Sequence, residues 1–228
     1  MRIGTIAALA AALMALAPAA GAALVGVYRN GMQSKGQLAQ IAKLSGARCG
    51  RAATGGGLTI TVGKETRECT YRTPVVGRDL EIAATERLLA KTPKPVQQGA
   101  YLALDLRAGG GARYQLAVYP RQRKAQMRKV LAGGDVEYLH IEKGVAAIEG
   151  VDRDNDLRLR AFNITEGDER GSCRILAYVG GELVADVTDE GAGELTGRAS
   201  GFSVGSAKAA KGAQATVDDV VVRVPSPY

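Results

Sequence analysis

Tyr101, Asp105, Arg107, Arg113, Gln115 and Tyr119 fall at alternate positions of two neighbouring segments, YLALDLR and RYQLAVY. On paired strands, alternate residues share one face. Tyrosine rings pack on sugar faces, and Arg, Asp and Gln hydrogen-bond hydroxyls or carboxylates. These types at this spacing predict a ligand surface for a glycan or another anionic envelope polymer. If Arg107 stands opposite Arg113, an anionic group between them relieves their repulsion, so an acidic glycan is favoured. Other motifs carry less. Gly201-Phe202-Ser203-Val204-Gly205 has the G-x-S-x-G pattern, but a nucleophile elbow needs a following helix and a His base. The next residues, SAKAAKG, are too short and Gly-bounded for that helix. The single His, His140, lies in an alternating strand segment and reads as structural or exposed. Asp152, Asp154 and Asp156 match the opening spacing of a Ca²⁺ loop. Leu157 at the sixth position and Asn163 at the twelfth exclude an EF-hand. Asp218-Asp219 reads as a structural pair. No catalytic residue, metal or cofactor is expected.

The elements that position the six residues follow from the same alternation. Leu102, Leu104 and Leu106 share one face, and Tyr114, Leu116 and Val118 another. Ala-Gly-Gly-Gly-Ala between them is a hairpin turn. Centring it on Gly110 pairs Leu102 with Val118, Leu104 with Leu116 and Leu106 with Tyr114. The outward pairs are then Tyr101–Tyr119, Asp105–Gln115 and Arg107–Arg113. A bulge near the loop would shift this pairing by one. Further strands are predicted at 58–62, 68–76, 79–84, 157–161 and 174–179, with Gly180-Gly181 as a turn. After it Leu183, Ala185 and Val187 alternate, then come the strands 197–205 and 216–224. Glu137 and Glu142, five apart, fall on opposite strand faces. Met32, Leu38, Ile41 and Leu44 have loose helical spacing, and TERLLA at 85–90 permits a helical turn.

Composition sets the compartment and the class. The chain has 228 residues, 46% hydrophobic and 23% charged, with 30 Gly, enough for one domain with a core and many turns. Met1-Arg2, the uncharged run Ile3 to Ala17, Pro18 and Ala-Gly-Ala at 20–22 have the layout of a secretory signal peptide. Residues 1–22 are therefore read as a leader, with Ala23 as the mature start and a secreted or periplasmic destination. The alternative is a membrane anchor through residues 3–17. In an oxidising compartment Cys49 and Cys69, flanking a Gly-rich turn, are expected to pair and leave Cys173 as a buried thiol. The net charge is +7, with seven basic residues against Asp105 alone between Ala100 and Ala132. Export and the lack of interleaved aromatics argue against nucleic acid as partner.

The order LRLRAFN, CRILAYVGGELVADVTD, LTGRASGFSVG and ATVDDVVVRV resembles the C-terminal half of concanavalin A-like lectin/glucanase jelly rolls. That superfamily includes laminin-G-like and 3-keto-disaccharide hydrolase domains. The resemblance covers residues 150–224 by motif and 56–149 by strand pattern. It implies an all-β antiparallel jelly-roll sandwich over 49–228, preceded by a short N-terminal segment, 23–48, that permits a helix. Retaining glucanases of the superfamily carry Glu-x-Asp-x-Glu on one strand, and this chain has no such motif. The expected function is non-catalytic glycan binding. The alternatives are a hydrolase of the 3-keto-disaccharide type and a structural surface domain.

Overall fold

The computed structural model describes residues 24–43, 48–54, 56–63, 66–165, 167, 169–206 and 212–225. The leader and the expected mature start lie outside the described residues. The first half of the fold holds β1 (Leu24–Asn30), α1 (Lys35–Ala39), β2 (Ala42–Lys43), β3 (Cys49–Thr54), β4 (Gly57–Val62), β5 (Glu68–Val76), β6 (Leu80–Leu88) and α2 (Lys94–Gln97). There follow β7 (Ala100–Gly109), β8 (Ala112–Tyr119), β9 (Lys124–Val130), β10 (Val136–Lys143) and β11 (Asn155–Asn163). The last strands are β12 (Cys173–Val179), β13 (Glu182–Asp189), β14 (Ala199–Ser206) and β15 (Gln214–Pro225).

Two antiparallel sheets form a jelly-roll sandwich. One runs β13-β12-β11-β6-β15-β4-β3, with β1 also on β15, and the other β10-β9-β8-β7-β14-β5-β2. Period-two alternation turns Ile82, Leu157, Leu159 and Val222 of the first sheet inward, against Leu102, Leu104, Leu116 and Phe202 of the second. Cys49 on β3 and Cys69 on β5 are joined across the two sheets, with Cα atoms 5.8 Å apart, and Cys173 is a buried free thiol. Closing that loop contributes about 3 kcal/mol by restricting the unfolded chain. No helix among the described residues is long and apolar enough to cross a membrane.

The β7–β8 register is the expected one from Leu102–Val118 to Leu106–Tyr114. It breaks at the next position. Arg107 takes a left-handed backbone, φ 50°, and a bulge shifts the pairing so that Gly109 faces Ala112. The expected Arg107–Arg113 pair therefore does not form. An extra residue turns Arg107 to the core side, where its guanidinium lies 5.8 Å from the Tyr114 ring centre.

Other differences have similar causes. The segment before Cys49 holds the short helix α1, capped by Ser34 and Gln37, but β1 and β2 on either side of it join the sheets. Residues 85–88 continue β6 instead of turning helical, because β15 pairs with them as far as Leu88. A bulge opposite Tyr178 leaves Leu183 exposed and turns Val184 inward beside Ala185. A bulge between Tyr138 and His140 brings Glu137 into register with Lys129 and Glu142 with Ala125, so the two share a face.

Candidate functional site

The face of the seven-stranded sheet turned away from the core is built in rows. Strand pairing places Arg72, Gly201, Asp105, Gln115, Arg128 and Tyr138 side by side across six strands. The neighbouring row is Thr70, Ser203, Ala103, Ala117 and Gln126. Beyond it Glu68, Gly205 and Tyr101 stand in register, and Tyr119 pairs with Lys124. Of the six expected residues, the structure brings together Tyr101, Asp105, Arg113, Gln115 and Tyr119. Arg107 is not among them.

A continuous network ties this face. Gln115 Nε2 donates to Glu68 Oε1 and to Asp105 Oδ1, each at 2.7 Å. Arg113 donates to Asp105 Oδ1 at 3.1 Å and to Glu68 Oε2. Ser203 donates to Asp105 Oδ2, and its hydroxyl oxygen accepts from Thr70 at 3.2 Å. The Arg128 Nε donates to Gln115 Oε1 at 2.6 Å, and its guanidinium lies 4.5 Å from the Tyr101 ring centre. The Tyr101 hydroxyl donates to Glu68 Oε1 at 3.1 Å, and its ring tilts against Tyr119 at 5.4 Å. Lys124 Nζ sits 4.0 Å from the Tyr119 ring centre.

Burial divides this network into a floor and a surface. Asp105 and Gln115 are fully buried, Tyr101, Tyr119 and Arg128 nearly so. Desolvation raises the Asp105 carboxyl above its ordinary range, opposed by Arg113 and reinforced by Glu68. Desolvation also raises the Tyr101 and Tyr119 phenols, so neither is a base near neutral pH. Above the floor lies a groove of about 400 Å³ lined by Glu68, Arg113, Arg128, Tyr138 and Arg67, among others. A second hollow of about 160 Å³, on the far side of Arg113, includes Arg72.

Glu68 and Asp105 share one donor nitrogen at 2.7 Å each, so the two oxygens are close enough to resemble the pair of a retaining glycosidase, about 5–5.5 Å apart. Asp105 has no exposed surface and both its oxygens already accept hydrogen bonds. No sugar can reach it, and the pair serves to hold Arg113. Ser203 is a buried strand residue bonded to that carboxylate, and His140 stands on β10 beside Glu142 at 3.3 Å. The three aspartates of the 152–156 loop turn to separate partners: Asp152 to the Ala90 N–H, Asp154 to Arg87 and Asp156 to Thr85. Asp219 pairs with Arg29 on β1.

Glu68, Lys124, Arg128 and Tyr138 were not singled out from the sequence. Period-two spacing within β9 groups Lys124 with Arg128. Nothing local places Glu68, 33 residues before Tyr101, beside it.

No protein-family model and no curated protein sequence matches this chain. Solved structures share its architecture at low identity. The carbohydrate binding module CBM66 from Bacillus subtilis is 17% identical with a TM-score of 0.56, over 79% of this chain and 93% of that one. A Bacillus subtilis protein of unknown function with a galectin-like fold gives 0.60 at 13% identity, over 88% and 97%. The apo Crh5 transglycosylase gives 0.55 at 12% identity, over 88% and 85%. Likeness at this level extends to fold alone. The sandwich and these neighbours together assign the chain the concanavalin A-like jelly-roll fold.

Proposed function

We propose that this is an exported, non-catalytic binding protein for an acidic glycan, which it holds in the groove of the seven-stranded sheet. One observation carries the reading: both acids of the network, Glu68 and Asp105, are engaged by Arg113. Arg67 and Arg128, which line the groove, make no ion pair among the described residues, and neither does Lys124, which lies over the Tyr119 ring at its edge. The groove therefore presents an excess of positive charge beside tyrosine rings. Desolvation lowers the Lys124 pKa, and the neighbouring charges of Lys143 and Arg128 add to the shift. A uronate or sulfate group would relieve that repulsion, while Tyr138, 54% exposed, offers a ring for a sugar face. The leader-like residues 1–22 and the Cys49–Cys69 disulfide support export. Binding is preferred to 3-keto-disaccharide hydrolysis because Asp105 is fully buried and Glu68 is held by Arg113, Gln115 and Tyr101.

Affinity electrophoresis through gels containing a polyuronate or a neutral β-glucan tests the reading. The polyuronate should retard the parent and release the Lys124→Gln, Arg67→Gln double variant. Equal retardation by neutral glucan, or none by either polymer, contradicts it.

A further inference from the structure

The displaced Arg107 lies at the end of the sandwich, away from the groove. There a small polar pocket of about 90 Å³ is lined by Arg78, Arg107, Asn163, Thr196 and the backbone around Gly171 and Gly193. Four loops meet at it: the β5–β6 turn, the β7 bulge, the β11–β12 loop and the β13–β14 loop.

The backbone commits to this placement. Arg107 is a non-glycine residue at φ 50°, a conformation that persists only where surrounding structure enforces it. Gly197, two residues before β14, makes room for it: a Cβ there would stand 2.4 Å from the Arg107 carbonyl oxygen, so only glycine lets that loop approach the bulge.

The guanidinium is 3% exposed. Its Nε donates to the Arg78 carbonyl at 3.3 Å and its Nη2 to Asn163 Oδ1 at 2.8 Å. Nη1 takes no partner among the described residues. Among the described residues Asp79 is the acid that pairs with this guanidinium, with Oδ1 3.7 Å from Nη2, and that oxygen already accepts from Asn163 N and Nδ2. The Arg78 guanidinium and the Thr196 hydroxyl likewise have no partner among the described residues. Two cations, one partly engaged acid and a free hydroxyl therefore surround a space about three times a water's share of liquid volume.

We propose that this end pocket is an anion site, separate from the groove, that takes one tetrahedral oxyanion, a phosphate or sulfate group, between Arg107 Nη1 and Arg78. Planar guanidinium forks suit such oxygens, and the buried fork is held in place by its two internal hydrogen bonds. Thr196 supplies a further donor from the opposite wall. Asn163, whose amide is bonded to both Arg107 and Asp79, is a positioning residue here.

Calorimetric titration of the full chain with inorganic phosphate, and separately with glucose 6-phosphate, at constant ionic strength set by chloride, tests the site. Saturable binding at one site per chain is expected. Arg78→Gln should weaken it at least tenfold with an unchanged melting temperature. Arg107→Lys, which keeps the charge but loses the fork, should weaken it similarly. Binding of inorganic phosphate with exclusion of glucose 6-phosphate identifies a free oxyanion as the ligand. Binding of both identifies a phosphate or sulfate ester; either supports the site. Lack of saturable binding, or affinity that survives Arg78→Gln unchanged, overturns it. Loss of phosphate binding in the Lys124→Gln, Arg67→Gln variant also overturns it, by moving the anion to the groove, whereas that variant's loss of polyuronate binding alone leaves the end pocket intact.

Discussion

The Tyr101 ring occupies the space that a side chain on Gly205 would fill: a Cβ at residue 205 would stand 2.4 Å from the Tyr101 hydroxyl oxygen. β14 therefore serves as a bare shelf for the ring, which lets the hydroxyl reach Glu68 and leaves a flat surface for Arg128. Gly205→Ala should push the ring upward, cost roughly 1–3 kcal/mol by overpacking, and weaken polyuronate binding. Chemical denaturation and affinity electrophoresis check both effects. Unchanged stability with unchanged retardation would mean the ring has no fixed place in the groove.

Glu86 makes the stability of the fold depend on pH. It points into the core from β6, fully buried, and no well-aligned hydrogen bond reaches either carboxyl oxygen. Desolvation raises its pKa well above the ordinary range, the charge of Asp105 adds to the shift, and the Ala103 N–H lowers it in part. Asn155, its cross-strand neighbour, also has an Oδ1 without a donor. A protonated Glu86 carries the O–H that neither residue otherwise has. Because the folded pKa is raised, its contribution is complete below the unfolded value, about 4.3, and is lost as pH rises toward the folded pKa. The slope in that window is about 1.4 kcal/mol per pH unit. Glu86→Gln should flatten it, so that the variant gains on the parent between pH 5 and 8 in denaturant melts. Parallel curves would show that Glu86 is ionised in the fold.

The three cysteines make a separate prediction. Peptide mapping without reductant should recover Cys49 linked to Cys69 and Cys173 as the thiol. Replacing Cys49 and Cys69 by Ser should cost about 3 kcal/mol. Burial pushes the Cys173 thiol up to about 11, so a disulfide reagent at pH 8 should label it only on unfolding. Rapid labelling of the native chain would contradict the buried placement.

Much of this architecture was legible because strands write their register into a period of two. Leu102, Leu104 and Leu106 against Tyr114, Leu116 and Val118 admit one pairing, and the structure has it. Bulges were the illegible part. Arg107 bears no mark of a positive φ, since the bulge is accommodated by Gly197 ninety residues later. The same blindness hid the inward turn of Val184 and the shared face of Glu137 and Glu142. Lys129 shows another limit. A lysine reads as exposed, yet this one is 2% exposed and paired with Asp189 at 3.1 Å inside the sandwich. The groove was legible where one hairpin supplied it and hidden where Glu68, Arg128 and Ser203 arrive from other strands.

Core and groove should separate under mutation. Leu104→Ala removes a fully buried side chain between the sheets and should lower stability by roughly 2–5 kcal/mol. Below its melting transition this variant should bind polyuronate like the parent. Loss of binding in a folded Leu104→Ala protein would show that the groove depends on core packing beneath it.

The central claim is that an acidic glycan lies over Lys124, Arg128 and Tyr138, and an amide-resolved NMR titration of labelled protein with a uronate oligosaccharide tests it most directly. Shifts should concentrate at residues 67–68, 111–113, 124–128 and 136–138, saturate together, and be absent with a neutral oligosaccharide of equal length. Shifts confined to the β13 edge or the 152–156 loop, or equal shifts with the neutral sugar, would contradict the account.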